Sequence, residues 1–438
     1  MKKVGIAGLG KLGLTWGLIL ASKGFEIHGV DINEKTIESL KNGELPIFED
    51  GALDLFQKYN DKLNFYNKFS EVYVDLDFIF IVVPTPSLPN NCFDSAYVLR
   101  ALKNIDSYLF NKANKTYTNV VITSTVMPGE CERFFGLISK DFRNSINNEE
   151  LGFCYNPEFI ALGSVIQNML NPDFILIGSN SKKASEKLSD LYKTVNGDNV
   201  VLKNMSIISA EITKISINTF LTLKISFANT IGLLSDQFEG AQKYDICDAI
   251  GSDTRIGKKF IKPGFGFGGP CLPRDTRAFG ECLKNKGLTS QISDASAEVN
   301  KNVEDYFSKI VGNNINQLKV KNPRILYSGI TYKKKSWLLE ESHPFKIVLN
   351  NQRPDITIEI YDELATEIKK FSQLYKKYEN IFNSIESDLN YLLSKKPNLI
   401  VLFNEITHED YLHVEKYISA NSDENRVKIL DLYYYQSY

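Results

Sequence analysis

The 438-residue sequence contains only four histidines and six cysteines, and neither type forms a ligand pattern. The cysteines are scattered without a C-x-x-C pair, which argues against a zinc ribbon and a disulfide scaffold. No run reaches the roughly 18 apolar residues that a membrane helix needs. The basic start is broken by glycines and Lys11 and has no cleavage site, unlike an export signal. We expect a cytoplasmic protein that binds no metal.

An excess of one charge is also missing, because 51 Lys and Arg residues face 53 Asp and Glu residues. Bulk electrostatics therefore gives no reason to expect a nucleic-acid or membrane partner. Apolar residues make up 43% of the chain, as in an ordinary globular protein. At about 150 residues per domain, the length predicts two or three domains.

Short apolar runs rich in Val, Ile and Phe alternate with amphipathic helical stretches at both ends of the chain. Such alternation predicts βαβ units and mainly parallel sheets. The predicted strands are Lys3–Gly8, Phe25–Asp31, Phe78–Val83, Val120–Ser124, Gly152–Tyr155 and Phe174–Gly178, followed by Arg324–Gly329, Ile356–Asp362, Asn398–Phe403 and Val427–Leu432.

A different pattern covers residues 205 to 242, where proline is missing and apolar residues recur at intervals of three and four. This predicts one long helix or two nearly continuous ones, which join two lobes or pack against a partner subunit. We therefore expect an α/β protein with two Rossmann-like domains, whose parallel sheets are joined by a long central helix. The expected division is 1–200, 201–310 and 311–438.

The segment Gly8–Gly13 fits the pattern G-x-G-x-x-G. It follows a predicted strand, opens a predicted helix and precedes Asp31 at the end of the next strand, which together favour a dinucleotide site over a glycine-rich turn. Gly8, Gly10, Leu12 and Gly13 would approach the pyrophosphate at the helix N-terminus. Asp31 would accept from the ribose hydroxyls and repel a 2′-phosphate, which favours NAD as the cofactor.

Two further loops follow predicted strands and carry Thr85 and Thr125. Loops at the carboxyl ends of parallel strands line the ligand crevice, so both threonines are candidates to touch the cofactor. Ser, Thr and Pro also make ordinary turns, and the local sequence does not separate the two interpretations.

The most unusual segment is Gly264–Asp275, in which glycines let the backbone approach another group closely and Cys271 follows almost at once. With Arg274 nearby, Cys271 is a candidate nucleophile, whereas the other five cysteines are more simply small buried thiols. Lys214 and Asn218 share one face of the long helix. That pair fits an oxyanion site, but in isolation a lysine that reaches solvent beside a polar neighbour is the simpler interpretation.

These pieces together define a chemistry. A dinucleotide accepts hydride, a thiol captures an aldehyde as a thiohemiacetal, a second hydride loss gives a thioester, and water releases an acid.

The sequence G-F-G-F-G-G-P-C-L-P-R-D at Gly264–Asp275 resembles a specific motif of the UDP-glucose/GDP-mannose dehydrogenase family. Members of this family oxidise the primary alcohol of a nucleotide sugar to a carboxylate with two NAD. The similarity extends from Met1 to about Arg277, includes Asp31–Asn33 and Pro46–Glu49, and continues weakly to the C-terminus. It implies a nucleotide-sugar-binding C-terminal domain, a homodimer through the long helix, and a product used for capsule or other surface polysaccharide.

The resemblance also implies roles for individual residues, and for Lys214 and Asn218 it overturns the simpler interpretation. Around the reacting carbon, the residues are Cys271 as nucleophile, Lys214 and Asn218 as the oxyanion-stabilising pair, Asp275 as the acid that orders water or assists proton transfer, Thr125 near the attacking water, and Glu158 as the carboxylate of thioester hydrolysis. Around the ligands, they are Arg274 near the cofactor, Arg255 reaching the nucleotide sugar across a dimer interface, and Phe159, Phe260, Gly268 and Lys333 on the substrate.

The sequence departs from the family pattern at several positions. A carboxylate is replaced by Leu162, and arginines are replaced by Glu340, Glu405 and Tyr433. Two acids of the family motif are also missing from the segment Tyr332–Ser342. These departures leave the nucleotide and the sugar open, and Lys333 in its basic loop is equally a solvated surface residue. UDP-glucose is the first choice of substrate, ahead of another UDP- or GDP-sugar. A two-electron hydroxyacid-type dehydrogenase and a non-catalytic nucleotide-sugar-binding relative are the alternatives.

Overall fold

The computed structural model describes residues 2–111, 116–160, 164–404, 406–421 and 427–432. The chain divides into two compact units, an N-terminal unit of Met1–Ser216 and a C-terminal unit of Ile217–Tyr438. Each unit is built around a sheet whose central strands are buried on both faces. Leu162, Glu405 and Tyr433, at which the sequence departs from the family pattern, lie outside the described residues.

The N-terminal unit holds an eight-stranded sheet in the order β3-β2-β1-β4-β5-β6-β7-β8. All neighbouring strands are parallel except β6 and β7. Central strands such as β4 and β5 are buried at every residue, which explains their continuous apolar sequences. The strands are β1 (Lys3–Ala7), β2 (Glu26–Val30), β3 (Leu63–Tyr66), β4 (Phe78–Ile81), β5 (Thr118–Ile122), β6 (Leu151–Tyr155), β7 (Ile175–Gly178) and β8 (Leu202–Met205).

The C-terminal unit holds a five-stranded, fully parallel sheet in the order β11-β10-β9-β12-β13. Its strands are β9 (Arg324–Ser328), β10 (Thr357–Tyr361), β11 (Ser384–Glu386), β12 (Leu399–Leu402) and β13 (Lys428–Asp431). The prediction of two parallel-dominated α/β sheets is therefore confirmed. In both sheets the strand order reverses beside the first strand, and ligands of such sheets bind outside the strand ends at that point.

Helices connect the strands in both units. They are α1 (Lys11–Ser22), α2 (Glu34–Lys41), α3 (Ala52–Lys58), α4 (Ala96–Asn111), α5 (Glu130–Phe135), α6 (Lys140–Asn147), α7 (Val165–Leu170), α8 (Lys182–Asn196), α9 (Ile207–Ser235), α10 (Lys243–Ser252), α11 (Leu272–Asn285), α12 (Gln291–Asn316), α13 (His343–Asn350), α14 (Ala365–Phe371), α15 (Gln373–Tyr378), α16 (Leu389–Ser394) and α17 (His408–Asn421), with 3-10 turns at Asn60–Lys62, Phe69–Glu71 and Glu379–Ile381.

The predicted long helix is the single helix α9, which ends at Ser235 rather than near Gln242. The chain turns just beyond it, where Gly240 adopts a φ of 81°. By length and composition α9 could cross a membrane, since it has 29 residues and a window of mean hydropathy 1.2. Its Glu211, however, accepts hydrogen bonds from the amides of Gly129 and Cys131 at 2.7 and 2.9 Å. The start of α9 is therefore tied by polar contacts to the rest of the N-terminal unit.

Candidate active site

The G-x-G-x-x-G segment forms the turn between β1 and α1, where the sheet order reverses. Gly8 has a φ of 99°, and a Cβ at Gly13 would lie 2.0 Å from the carbonyl oxygen of Gly8, so both positions require glycine. Gly10 has an ordinary extended backbone, and a Cβ there would meet nothing within 4 Å. It caps α1 without a side-chain hydrogen bond, which leaves the first-turn amides available to a phosphate.

Asp31 lies where the second strand ends and holds this turn in place. Its carboxylate accepts hydrogen bonds from the amides of Leu9 at 2.7 Å and Asn33 at 2.8 Å, and the amide of Gly8 donates to the carbonyl of Val30 at 2.8 Å. A carboxylate has about four lone-pair sites, so Asp31 retains acceptors for two ribose hydroxyls. The turn and its acid therefore fit a dinucleotide.

The C-terminal unit repeats this corner. The amide of Gly329, whose φ is 78°, donates to the carbonyl of Tyr361 at 2.8 Å. Asp362 accepts from the amides of Ile330 at 3.2 Å and Leu364 at 3.0 Å. Burial raises the pKa of Asp362 to about 6, although both amides act in the opposite direction. Three equivalent hydrogen bonds are therefore present in each unit where the loop after the first strand meets the end of the second strand.

The loops that carry Thr85 and Thr125 are joined through Ser124. The hydroxyl of Ser124 accepts from the amide of Val83 at 2.9 Å and donates to its carbonyl at 2.8 Å. Thr85 is buried and Thr125 is half-buried. These contacts tie together the loops that follow β4 and β5.

Lys214 is buried, contrary to the simple interpretation of a lysine that reaches solvent. Its ammonium donates to the backbone carbonyl of Glu158 at 2.7 Å and lies 4.6 Å from the ring centroid of Phe159. Burial raises the pKa of the Glu158 carboxyl to about 7, while a hydrogen bond from Tyr192 and the charge of Lys214 lower it. Glu158 is therefore able to exchange a proton near neutral pH.

Asn218 and Asp275 meet in the C-terminal unit, where the amide of Asn218 donates to the Asp275 carboxylate at 2.6 Å. Arg274 donates from Nε to the other carboxylate oxygen at 2.9 Å. Asp275 has no exposed surface, and in this buried position its carboxylate is paired with the Arg274 guanidinium and hydrogen-bonded by Asn218. Sequence reasoning placed Arg274 near the cofactor and did not anticipate this ion pair.

Cys271 is exposed at the N-terminal end of α11, directly after the glycine-rich segment. A helix N-terminus carries positive potential, which stabilises negative charge on a nearby group. The pKa of Tyr332 is raised to about 12 by its burial and by a smaller repulsion from Cys271. Because Cys271 is exposed, its thiol is accessible for reaction.

The glycine loop, residues 264–270, is held by two residues that the motifs did not indicate. Asn300 accepts from the amide of Phe267 at 2.8 Å and donates to its carbonyl at 3.0 Å. Nδ1 of His343 accepts from the amide of Gly266 at 3.1 Å. Burial lowers the pKa of His343 to about 4, so this acceptor is unprotonated at neutral pH. Both residues lie far from the loop in sequence, and no local signal marks them.

The loop also packs against the segment that departs from the family pattern. A Cβ at Gly268 would lie 2.5 Å from the carbonyl oxygen of Glu341, and the amide of Gly269 donates to the carbonyl of Glu340 at 3.0 Å. Tyr332 fills the space beside Gly269, where a Cβ would lie 2.5 Å from its ring. Glu340, at the position of a family arginine, thus helps to hold the loop through its backbone carbonyl.

The remaining predicted substrate residues are exposed. Arg255 pairs with Asp253 at 2.6 Å, which lowers the pKa of Asp253. Phe260 is 46% exposed and adopts a φ of 66°, and Lys333 is exposed in its loop. No described contact joins these three residues to one another.

Comparison with known proteins agrees with this arrangement. The chain matches the model of the NAD-binding domain of the UDP-glucose/GDP-mannose dehydrogenase family over residues 2–196 and that of the central domain over residues 208–302. The chain belongs to this family. The family resemblance and the NAD cofactor predicted from the sequence are thereby confirmed, and the glycine turn and Asp31 are the residues that would hold NAD.

Curated relatives include the UDP-glucose 6-dehydrogenase TuaD of Bacillus subtilis, 32% identical over 83% of this chain and 77% of that protein. The UDP-glucose 6-dehydrogenase of Rickettsia conorii is 30% identical over 91% and 88% of the two chains. Among solved structures, a UDP-glucose dehydrogenase from Pyrobaculum islandicum has a TM-score of 0.82 and 26% identity, covering 100% of this chain and 95% of that chain. The protein is thus a member of a nucleotide-sugar dehydrogenase family.

The open space at Gly10 predicts that a substitution there changes NAD affinity without changing the stability of the fold. Gly10→Ala is expected to weaken NAD binding by at least about tenfold, because a methyl group would occupy the pyrophosphate approach. The thermal midpoint should stay nearly unchanged, since no protein atom lies within 4 Å of that Cβ. Calorimetric titration and thermal melting measure the two effects. Gly13→Ala is the contrasting variant, which should lower the midpoint, and wild-type NAD affinity in Gly10→Ala would contradict this assignment.

Proposed function

We propose that the protein oxidises carbon 6 of a nucleotide sugar from primary alcohol to carboxylate, with UDP-glucose as the first-choice substrate. The observation that carries the proposal is the accessible Cys271 at the N-terminus of α11, in the same unit as the buried Asp275 and its partners Asn218 and Arg274. The choice of sugar rests on relatives named UDP-glucose 6-dehydrogenase at 30–32% identity. The cytoplasm is the proposed location.

Each proposed role follows from the chemistry of one side chain. NAD, when bound, accepts a hydride in each of two oxidations. The sulfur of Cys271 bonds to the aldehyde carbon, and the resulting thiohemiacetal is oxidised to a thioester. Lys214 and Asn218 donate to the developing oxyanion, and Asp275 orders water or assists proton transfer. Glu158 takes a proton from the attacking water, near which Thr125 lies.

The C-terminal domain is proposed to bind the nucleotide half of the substrate. Gly329, Asp362 and Asn404 line a cleft at the repeated corner, together with Lys334 and Lys335. The Asp362 carboxylate can accept hydrogen bonds from ribose hydroxyls, and the ammonium groups of Lys334 and Lys335 can pair with phosphates. Arg255, Phe260 and Lys333 are proposed as further substrate contacts, with Phe159 and Gly268.

The deciding experiment measures NADH formation with a panel of UDP- and GDP-sugars and identifies the product by mass spectrometry. We expect two NADH and one carboxylate per UDP-glucose. One NADH per sugar would instead favour a two-electron dehydrogenase, and tight binding without NADH would favour a non-catalytic relative. Turnover of only another nucleotide sugar would keep the chemistry and change the substrate.

A homodimer through α9 is proposed because the helix exposes a row of large apolar residues. Ile212, Phe220, Phe227 and Leu234 are 47 to 60% exposed and recur at intervals of seven or eight residues, so they lie along one face. In such a dimer Arg255 would reach the partner's site, as the resemblance implies.

Replacing one residue of this row should separate the subunits. Phe227→Asp is expected to convert the dimer to a monomer, because it places a charge within an apolar interface. Light scattering coupled to size-exclusion chromatography measures the mass. Ile292→Asp, at another exposed apolar position on α12, should leave the dimer intact. A monomeric wild-type protein, or a dimeric Phe227→Asp variant, would contradict the proposal.

A further inference from the structure

A buried tyrosine that belongs to none of the motifs touches the Glu158 carboxyl. The single proton of the Tyr192 hydroxyl is shared in a bifurcated hydrogen bond between Oε1 of Glu158, 3.3 Å away, and the side-chain oxygen of Asn156. Tyr192 comes from α8, whereas Glu158 follows β6, so the contact arises only in the folded chain. Tyr192 is 2% exposed, so its hydroxyl is shielded from bulk solvent.

The position of this hydroxyl is fixed from two directions. The Tyr192 ring stacks on Trp16 of α1, with centroids 5.5 Å apart and planes at 24°. The amide nitrogen of Asn156 donates to the carbonyl of Leu176 at 2.8 Å, so the Asn156 oxygen is turned toward the tyrosine. A hydroxyl held in this way can orient a neighbouring carboxylate at little entropic cost.

The charges around Glu158 act in opposite directions. Burial favours the protonated carboxyl, whereas the hydrogen bond from Tyr192 and the charge of Lys214 favour the carboxylate. Cys154 on β6 also faces Tyr192, but burial raises its thiol pKa to about 12, so it carries no charge at neutral pH. Tyr192 and Lys214 are therefore the groups that oppose desolvation among the described residues.

We propose that Tyr192 is a positioning residue that keeps Glu158 oriented and deprotonated for hydrolysis of the thioester. The inference rests on the proposed function, in which Glu158 acts as the base. The water oxygen bonds to the thioester carbon and its proton goes to Glu158. The carbon–sulfur bond then breaks, which releases the carboxylic acid and the Cys271 thiolate. A protonated Glu158 cannot accept that proton, so hydrolysis would slow as the pH falls.

Tyr192→Phe keeps the ring against Trp16 and removes only the hydroxyl. The variant loses a donor that favours the carboxylate, so the acidic limb of the pH–rate profile should move to higher pH. Near pH 7 steady-state turnover should fall about 3- to 10-fold, as expected for a general base that is more often protonated. The NADH burst of the first turnover should be unchanged, and the thioester on Cys271 should accumulate and be detected by mass spectrometry.

Two controls separate this role from a general loss of packing. Tyr108→Phe removes another buried hydroxyl, which donates to the carbonyl of Val74, and should leave the profile unchanged. Incorporation of 3-fluorotyrosine at position 192 gives a stronger donor and should move the limb to lower pH. A purely structural role would instead lower the rate equally at every pH, which would overturn the proposal.

A measurement without substrate distinguishes failure of this inference from failure of the proposed function. The infrared carboxyl band that disappears in Glu158→Gln can be titrated in the ligand-free protein. Its midpoint should be higher in Tyr192→Phe than in the wild type. An unchanged midpoint would overturn the inference even if the wild-type protein forms two NADH per sugar. A raised midpoint in a protein without that activity would leave the contact established and reject only the function.

Discussion

Cys271→Ala is expected to abolish formation of the carboxylate. Without the sulfur no thiohemiacetal can form, so the second oxidation has no covalent intermediate to act on. Removal of a nucleophile typically costs at least about 10³-fold in turnover. NADH absorbance with UDP-glucose measures this loss, and calorimetry should show unchanged NAD affinity, because Cys271 is not among the residues assigned to NAD.

Cys282→Ala is the matched control for that experiment. Cys282 lies on the same helix, α11, and is only partly exposed, so its removal tests for general damage to the element that carries Cys271. It should retain nearly full turnover. Full turnover by Cys271→Ala, with two NADH per sugar, would reject the thioester route while leaving the family membership unaffected.

The central strands were predictable from the sequence, whereas three of the four edge strands were not. β4 and β5 are buried at every position, so their continuous apolar runs identify them. The strands that sequence analysis missed are β3, β8 and β11, which lie at the sheet edges. β8 exposes two of its four residues and β11 has three residues, so neither produces an apolar run.

The cofactor turn could be read from sequence because its determinants are local. Gly8, Gly13 and Asp31 need only a strand, a turn and a helix around them, and the structure supplies all three. The environment of Lys214 could not be read in this way. Its acceptor, the carbonyl of Glu158, is 56 residues away, and local periodicity contains no information about so distant a partner.

The residues that hold the glycine loop were also not predictable from the local sequence. The loop itself was conspicuous, yet Asn300 and His343 hold it from 33 and 77 residues away. An asparagine on a helix and a histidine at a helix start are ordinary in sequence. Their role appears only in the fold, where the backbone amides of Gly266 and Phe267 donate hydrogen bonds to His343 and Asn300.

Gly266→Ala is expected to lower turnover by at least about 100-fold, as a misplacement of about 1 Å at a reacting group can do. The new Cβ would lie 1.9 Å from Oδ1 of Asn300 and 2.3 Å from Cε1 of His343. Asn300 cannot yield without losing its two hydrogen bonds to Phe267, and His343 is buried. The loop that ends at Cys271 must therefore shift. Overpacking typically costs about 1–3 kcal/mol, so the thermal midpoint should also fall by a few degrees.

Gly264→Ala is the matched control, two residues earlier in the same loop. A Cβ at Gly264 meets nothing within 4 Å, so turnover and thermal midpoint should stay close to wild type. Alkylation of Cys271 by iodoacetamide, followed by mass spectrometry, should change in rate for Gly266→Ala only, because only that variant moves the thiol. Equal turnover in the two variants would mean that the contacts of Asn300 and His343 do not determine the position of Cys271.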